Sequence, residues 1–134
     1  MKSVVYFLLR VICKILYDVR VHGNISYSEK TILVCNHISL LDGVIVSLFL
    51  PEVPYVVMTK TRMQKVPFAF SKDYFLYVSI KILQKYVNII PIDPKSPHSI
   101  KRMIKVVNEG KPLLIFPEGK ISGNGDLNPI QKGI

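Results

Sequence analysis

Short apolar runs alternate with longer amphipathic segments along this chain, and the alternation predicts strands interleaved with helices. Apolar, β-rich runs predict strands at 19–22, 31–35, 55–58, 87–91 and 112–116. Helical spacing and stop signals predict helices at 4–17, 40–50, 74–86 and 97–109. This order favours an α/β fold with a mixed, largely parallel sheet flanked by helices, in which sites gather at the carboxyl ends of the strands.

Two of these helices carry start signals. Ser39 is expected to cap the helix at 40–50, which Pro51 ends, and Ser96 to cap the helix at 97–109. Pro97 takes the first position of that last helix, and Gly110 is expected to end it. Four apolar residues share one face of it and three cations the opposite face: Ile100, Met103, Ile104 and Val107 against Lys101, Arg102 and Lys105.

The N-terminal segment, residues 1–18, predicts an amphipathic helix in which Arg10 and Lys14 interrupt the apolar residues. It is shorter than the ~20 apolar residues of a membrane span and lacks the cleavage site of a secretory signal. Two interpretations stay open: the helix packs on the protein's own core, or it lies in the headgroup region of a membrane with Arg10 and Lys14 near lipid phosphates. In the second case five apolar side chains enter the membrane: Phe7, Leu8, Val11, Ile12 and Ile15.

Charge and composition narrow the classes of molecule that this chain is expected to bind. The 134 residues fit one domain, with a surface helix at 1–18 and an α/β core at 19–134. Hydrophobic residues make up 49% of the chain, yet 18 Lys and Arg oppose 9 Asp and Glu, which suits an anionic membrane or a phosphorylated substrate. Nucleic acid is disfavoured, because Arg-Gly repeats, helix-turn-helix cues and zinc spacings are absent. Cys13 and Cys35 lie in apolar runs and are expected to be reduced, buried thiols.

The stretch Asn36-His37-Ile38-Ser39-Leu40-Leu41-Asp42 follows a predicted strand and places an imidazole five residues before a carboxylate. Residues five apart point in different directions on one helix, so His37 must precede the helix in order to reach Asp42. A histidine in that position can accept a proton near neutral pH, with the carboxylate fixing its tautomer. The alternative is that Ser39 and Asp42 form a capping arrangement and His37 is an ordinary loop residue.

A second stretch, Phe116-Pro117-Glu118-Gly119, follows the last predicted strand. Glycine lets backbone N–H groups approach an anion, and Lys120 adds a cation, so a phosphate could bind there. The alternative is a strand that turns through proline and glycine into a solvated loop.

Taken together, NHxxxxD and FPEG, about eighty residues apart, resemble the glycerolipid acyltransferase family, which acylates glycerol-3-phosphate and lysophospholipids. The resemblance covers residues 21–133. The form FPEGKIS, with Asp93-Pro94-Lys95-Ser96-Pro97 before it, is most similar to the lysophospholipid acyltransferase part of bifunctional acyltransferase/acyl-carrier-protein synthetases. The family's last motif, an apolar strand with prolines, is not found after FPEG, so the C-terminal part of the family fold is expected to be missing.

The resemblance also implies roles for particular residues. His37 would deprotonate the acceptor hydroxyl and Asp42 would orient His37, while the donor, acyl-CoA or acyl-carrier protein, serves as co-substrate and no cofactor or metal is needed. Acceptor binding is implied for Phe116, Pro117, Glu118, Gly119 and Lys120, with Lys95 as a further cation for the phosphate.

The expected protein is therefore an O-acyltransferase of phospholipid biosynthesis or remodelling, associated with the cytoplasmic face of a membrane as a peripheral or monotopic protein. Two alternatives stay open. One is a non-catalytic module that binds anionic membranes or lipids, or an inactive fragment of the enzyme. The other is a metal-dependent hydrolase that uses His37, Asp42 and Glu118.

Overall fold

A computed structural model describes residues 2–27, 29–39, 41–59, 86–93 and 96–131. The predicted helix at 74–86, apart from Tyr86, and the predicted substrate-binding residue Lys95 lie outside the described residues. The elements in chain order are α1 (Lys2–Tyr17), β1 (Ile32–Val34), α2 (Asp42–Phe49), β2 (Tyr55–Thr59), β3 (Asn88–Ile92), α3 (Pro97–Asn108) and β4 (Leu113–Ile115).

The four described strands form one sheet in the order β1-β4-β2-β3, and every pair in it is parallel. Leu114 of β4 pairs with Leu33 of β1 on one side and with Val56 of β2 on the other. The predicted α/β class with a largely parallel sheet is therefore confirmed. Because β4 lies beside β1, the segments that follow these two strands leave the sheet next to each other.

Alternate residues of each strand face opposite layers, as the pleat of a strand requires. One face carries a cluster built on Val56 and Leu114, against which Val44 and Val46 of α2 pack. The other face carries Ile90 and Leu113, which α3 covers with three side chains: Met103, Val106 and Val107. The sheet thus has α2 on one face and α3 on the other.

Two of the helix predictions need correction. Ile100 and Ile104, expected on the inner face of α3, are 52% and 54% exposed, while Val106 is buried. The contact of α3 with β3 and β4 is centred on Met103 and Val106, so the two isoleucines fall on its flank. Helix α2 begins at Asp42 rather than at residue 40, and Leu41, not Ser39, precedes its first residue.

The predicted strand at 19–22 is wrong, since these residues form no strand in the structure. Asp18 ends α1 in the left-handed region at φ 46° and binds Arg20 through a salt bridge of 2.8 Å. The segment that follows is largely exposed and pairs with none of the four strands. A β-rich run without a partner strand gains neither the hydrogen bonds nor the cross-strand contacts that stabilise a strand.

Helix α1 packs on α2 along one side and is exposed along the other. On the packed side the Tyr6 hydroxyl donates to the Tyr86 carbonyl at 2.7 Å, Arg10 donates to the carbonyl of Leu48, and Cys13 is buried. The exposed side carries Lys14 and, over its whole length, apolar side chains: Val4, Phe7, Leu8, Val11, Ile12, Ile15 and Leu16. No helix in the described part of the chain is long and apolar enough to cross a membrane.

Candidate active site

The segment after β1 carries His37 alongside the end of β4. The Cys35 N–H donates to the Ile115 carbonyl at 3.1 Å and so continues the β1–β4 pairing beyond the strands. Two residues later the His37 N–H donates to Glu118 Oε1 at 2.8 Å, and the His37 carbonyl accepts from the Ser122 N–H at 2.7 Å. The backbone of His37 is therefore held on both sides by the segment that follows β4.

Asp42 binds both the ring and the backbone of the His37 loop. Its Oδ2 lies 3.1 Å from His37 Nδ1 and accepts hydrogen bonds of 2.7 Å from the N–H groups of Ile38 and Ser39. Ser39 Oγ accepts from the Leu41 N–H at 3.2 Å, so Ser39 stabilises the turn before α2 instead of capping the helix. The two backbone N–H groups thus orient the carboxylate that faces the imidazole.

The contact with Asp42 selects one tautomer of His37. An ionised carboxylate can only accept, so we place the proton on Nδ1 and the lone pair on Nε2. Among the described residues, none forms a hydrogen bond to Nε2. The side chains of His37 and Asp42 are only 16% and 19% exposed, which shields their interaction from solvent. The pair has the arrangement of a general base and the group that orients it.

The ring of Phe116 forms one wall of this site. It stacks on the imidazole of His37 with the centroids 4.5 Å apart and the planes inclined by 29°. Phe116 also packs close to the first turn of α2, where a Cβ atom on Gly43 would lie 3.6 Å from its ring. The imidazole is thus fixed by a carboxylate at one edge and an aromatic ring against its face.

Glu118 is buried, with only 1% of its surface exposed, and both of its carboxylate oxygens are bound. Oε1 accepts from the His37 N–H, and Oε2 accepts from the backbone N–H and the side-chain amide of Asn128, each at 2.9 Å. The hydrogen bonds from Asn128 and His37 lower the pKa of Glu118 from its usual value, although burial opposes them. Glu118 is therefore an ionised carboxylate that joins three segments of the chain.

Gly119 and Lys120 follow Glu118 on an exposed turn. Gly119 has φ +65°, a left-handed conformation that glycine adopts without strain, and its N–H donates to the Phe116 carbonyl at 3.1 Å. The carbonyl of Pro117 accepts from the Gln131 N–H at 2.9 Å. Lys120 is exposed and forms no salt bridge with the described residues, so its ammonium group is accessible from solvent.

The structure brings seven of the eight predicted site residues into one region: His37, Asp42, Phe116, Pro117, Glu118, Gly119 and Lys120. Lys95 is not described. Sequence reasoning missed Gly43, Ser122 and Asn128. The sequence does not indicate which residues an asparagine or a serine in a glycine-rich loop will contact. A glycine inside the apolar helix α2, in contrast, is itself an indication of close packing.

Cys13 is buried as expected, whereas Cys35 is only half-buried, and both thiols have a raised pKa. Burial raises the pKa of Cys13, and burial together with the charge of Asp42 raises the pKa of Cys35, so both stay protonated near neutral pH. In the described ranges, no three His, Cys, Asp or Glu side chains are grouped closely enough to hold a metal ion.

Comparisons with known proteins agree on one family. A family model described as Acyltransferase matches residues 18–134. The 1-acyl-sn-glycerol-3-phosphate acyltransferase of Borreliella burgdorferi is 27% identical over 114 residues, covering 82% of this chain and 41% of that protein. Proteins of the same name from Cocos nucifera and Limnanthes alba are 27% and 28% identical over 117 and 120 residues, covering 86% of this chain in each case and 35% and 38% of their own length.

The chain thus spans less than half the length of the curated relatives it matches. No solved structure matches significantly.

Proposed function

This chain belongs to the glycerolipid acyltransferase family, and we propose that it transfers a fatty acyl group from an acyl thioester to the hydroxyl of a lysophospholipid or a glycerol phosphate. One observation carries the proposal above all others. His37 Nδ1 faces Asp42 Oδ2 at 3.1 Å, which leaves Nε2 as the basic atom on the opposite edge of the ring.

In the proposed reaction Nε2 of His37 accepts the proton of the acceptor hydroxyl while the hydroxyl oxygen attacks the thioester carbonyl. Asp42 stabilises the imidazolium that forms. When the tetrahedral intermediate collapses, the carbon–sulfur bond breaks, the ester bond remains, and the imidazolium returns the proton to the departing thiolate. Neither cysteine takes part, and no cofactor is required. The donor is acyl-CoA or an acyl-carrier protein.

We assign acceptor binding to the turn after β4, where Phe116 and Pro117 shape the wall and the exposed Lys120 is free to meet a phosphate. Lys95 is a further candidate for the phosphate. Both oxygens of Glu118 are already bound by His37 and Asn128. Glu118 therefore stabilises this turn from its buried side. In this assignment Gly119 allows the sharp turn that places Lys120 outside.

We further propose that the protein lies on the cytoplasmic face of a membrane as a peripheral or monotopic protein. The apolar side of α1 is exposed over its whole length, and the chain carries a formal net charge of +9. An amphipathic helix with these properties enters the headgroup region, and anionic lipids add to its binding. Lys14 remains available to a lipid phosphate, whereas Arg10 is engaged by Leu48.

The decisive experiment measures acyl transfer by the purified chain in vesicles that contain a 1-acylglycerol phosphate, with acyl-CoA and acyl-carrier protein as alternative donors. His37→Ala is expected to reduce the rate by about 10²–10⁴-fold, the contribution of a general base. His98→Ala is the matched control, since His98 is exposed on α3. Activity that survives in His37→Ala would contradict the base assignment, and absence of transfer by the wild type with either donor would contradict the proposed function.

A second function, a non-catalytic module that binds anionic membranes, is favoured by the exposed side of α1 alone. The same protein and vesicles distinguish the binding module from the acyltransferase. Vesicle binding without acyl transfer would support the binding module, while transfer that depends on His37 would reject it.

A further inference from the structure

We propose that Asn128 is a positioning residue of this site, holding Glu118 so that Glu118 in turn fixes the backbone of His37. This inference rests on the proposed function for its kinetic consequence, and it assigns a role to a residue outside both sequence motifs. Asn128 lies ten residues beyond Glu118, in the loop that follows β4.

Three hydrogen bonds meet at the buried carboxylate of Glu118. Asn128 supplies two of the three donors to Glu118, one from its backbone and one from its side-chain amide. The third is the His37 N–H. Since a carboxylate only accepts, the Asn128 amide must present its nitrogen to Oε2, so the orientation of this side chain is determined by its partner.

Glu118 in turn holds the first residue of the His37 loop. Three consecutive N–H groups in the His37 loop are bound by carboxylates: that of His37 by Glu118, and those of Ile38 and Ser39 by Asp42. Asp42 thus fixes the loop from the α2 side, and Glu118 fixes it from the β4 side. If Glu118 moves, the histidine keeps its ring contact with Asp42 but loses one of the two hydrogen bonds that hold its own backbone N–H and C=O groups.

An asparagine suits position 128 because of what its side-chain amide donates. Its amide adds a second, neutral donor to Oε2 of an anion that is almost wholly removed from water, where a hydrogen bond to a charge is worth more than one between neutral groups. An aspartate of the same shape would instead bring an acceptor and a second negative charge against Glu118. Comparing the Asn128→Asp variant with the wild type therefore separates a role of this side chain in hydrogen bonding from a role in packing.

The test compares Asn128→Asp and Asn128→Ala with the wild type in the acyl-transfer assay, between pH 5 and 8. Both variants are expected to lower kcat, Asn128→Asp by about 10- to 100-fold at neutral pH, because small displacements of a catalytic group carry penalties of this size. KM for the acceptor should change little. On acidification Asn128→Asp should recover relative to the wild type, since a protonated aspartate can donate to Glu118, and Asn128→Ala should not.

A second measurement does not depend on activity. Labelling the histidines with ¹⁵N gives backbone amide signals from His22, His37 and His98, and the His37 signal is identified by its loss in His37→Gln. In Asn128→Ala and Asn128→Asp the His37 signal should move while the signals of His22 and His98 stay in place. Asn24→Asp, at an exposed loop position, is the control and should leave the His37 signal in place.

The outcomes are separable. An unmoved His37 signal in both variants, or equal kcat for Asn128→Asp and the wild type, would overturn the positioning role. If Asn128→Asp does not fold, the His37 signal and kcat of Asn128→Ala decide by the same criteria. If the wild type transfers no acyl group, the proposed function fails while the amide signals still decide whether Asn128 acts on His37.

Discussion

Gly43 of α2 lies so close to Val56 of β2 that a Cβ atom on the glycine would be 2.9 Å from the valine Cγ1. Carbon atoms make favourable contacts only from about 3.5 Å. The absence of a side chain at residue 43 thus lets the first turn of α2, which begins with Asp42, settle on the sheet beside Phe116.

Gly43→Ala is accordingly expected to destabilise the protein. Alanine improves helix propensity by about 1 kcal/mol, but overpacking a buried contact costs about 1–3 kcal/mol, so the net change should be unfavourable. Denaturant unfolding measures it. Gly123→Ala is the control, because a Cβ atom there meets nothing within 4 Å. A Gly43→Ala protein more stable than the wild type would show that α2 does not need this close approach.

Asp42→Asn tests the orienting role of the carboxylate. The asparagine oxygen can still accept from the backbone N–H groups of Ile38 and Ser39, but the neutral side chain cannot stabilise the imidazolium of His37. We expect acyl transfer to fall by about 10²-fold or more, with a much smaller effect on folding. Asp18→Asn is the control, since Asp18 is exposed and asparagine tolerates its left-handed φ of 46°. A loss of less than threefold would contradict this role.

Glu118→Gln tests the pH dependence of folding. Since the pKa of Glu118 in the folded protein is lowered below its unfolded value of about 4.3, its hydrogen bonds contribute stability above that pH, and the contribution is lost as pH falls through the folded pKa. Glutamine does not titrate there. The free energy of unfolding of the wild type should therefore exceed that of Glu118→Gln near pH 7, and the difference should shrink below about pH 4.3.

Glu29→Gln, which removes an exposed carboxylate, controls for the loss of one charge in this comparison. A difference between wild type and Glu118→Gln that stays constant from pH 7 to pH 3 would show that ionisation of Glu118 contributes nothing to folding.

Ile12→Glu tests the membrane contact of α1. Ile12 is 48% exposed on the apolar side of that helix, and placing a charge there should weaken binding to anionic vesicles by about 10-fold or more, since burying such a side chain is worth about 1.5–3 kcal/mol. The control is Ile104→Glu, an isoleucine 54% exposed on α3, on the opposite face of the sheet. Equal binding by the two variants in a sedimentation assay would contradict the assignment of α1 as the contact.

The sequence predicted the sheet and its layers because strand and helix periodicities are local properties. It could not predict the strand order, and the order is what brings Glu118 beside His37. The failures have the same origin. Residues 19–22 have strand propensity but no partner, and the start of α2 depends on a carboxylate that binds the preceding loop instead of on the hydroxyl of Ser39.

The candidate site was predictable in part for a similar reason. His37 and Asp42 are close in sequence, so helix geometry alone allowed their contact. The stacking of Phe116 on His37 and the bonds of Asn128 to Glu118 join segments far apart in the chain, and no local pattern specifies them.

The hydrogen bond from the His37 N–H to Glu118 joins residues that are 81 positions apart in the chain. This separation determines when the site can form during synthesis. A ribosome makes the histidine long before it makes the carboxylate that fixes the histidine's peptide group. Contacts of such long sequence separation form late, because closing the intervening loop must precede them. During synthesis the imidazole thus lacks this support until β4 has emerged and paired with β1, so the base becomes fully organised only once the sheet is assembled.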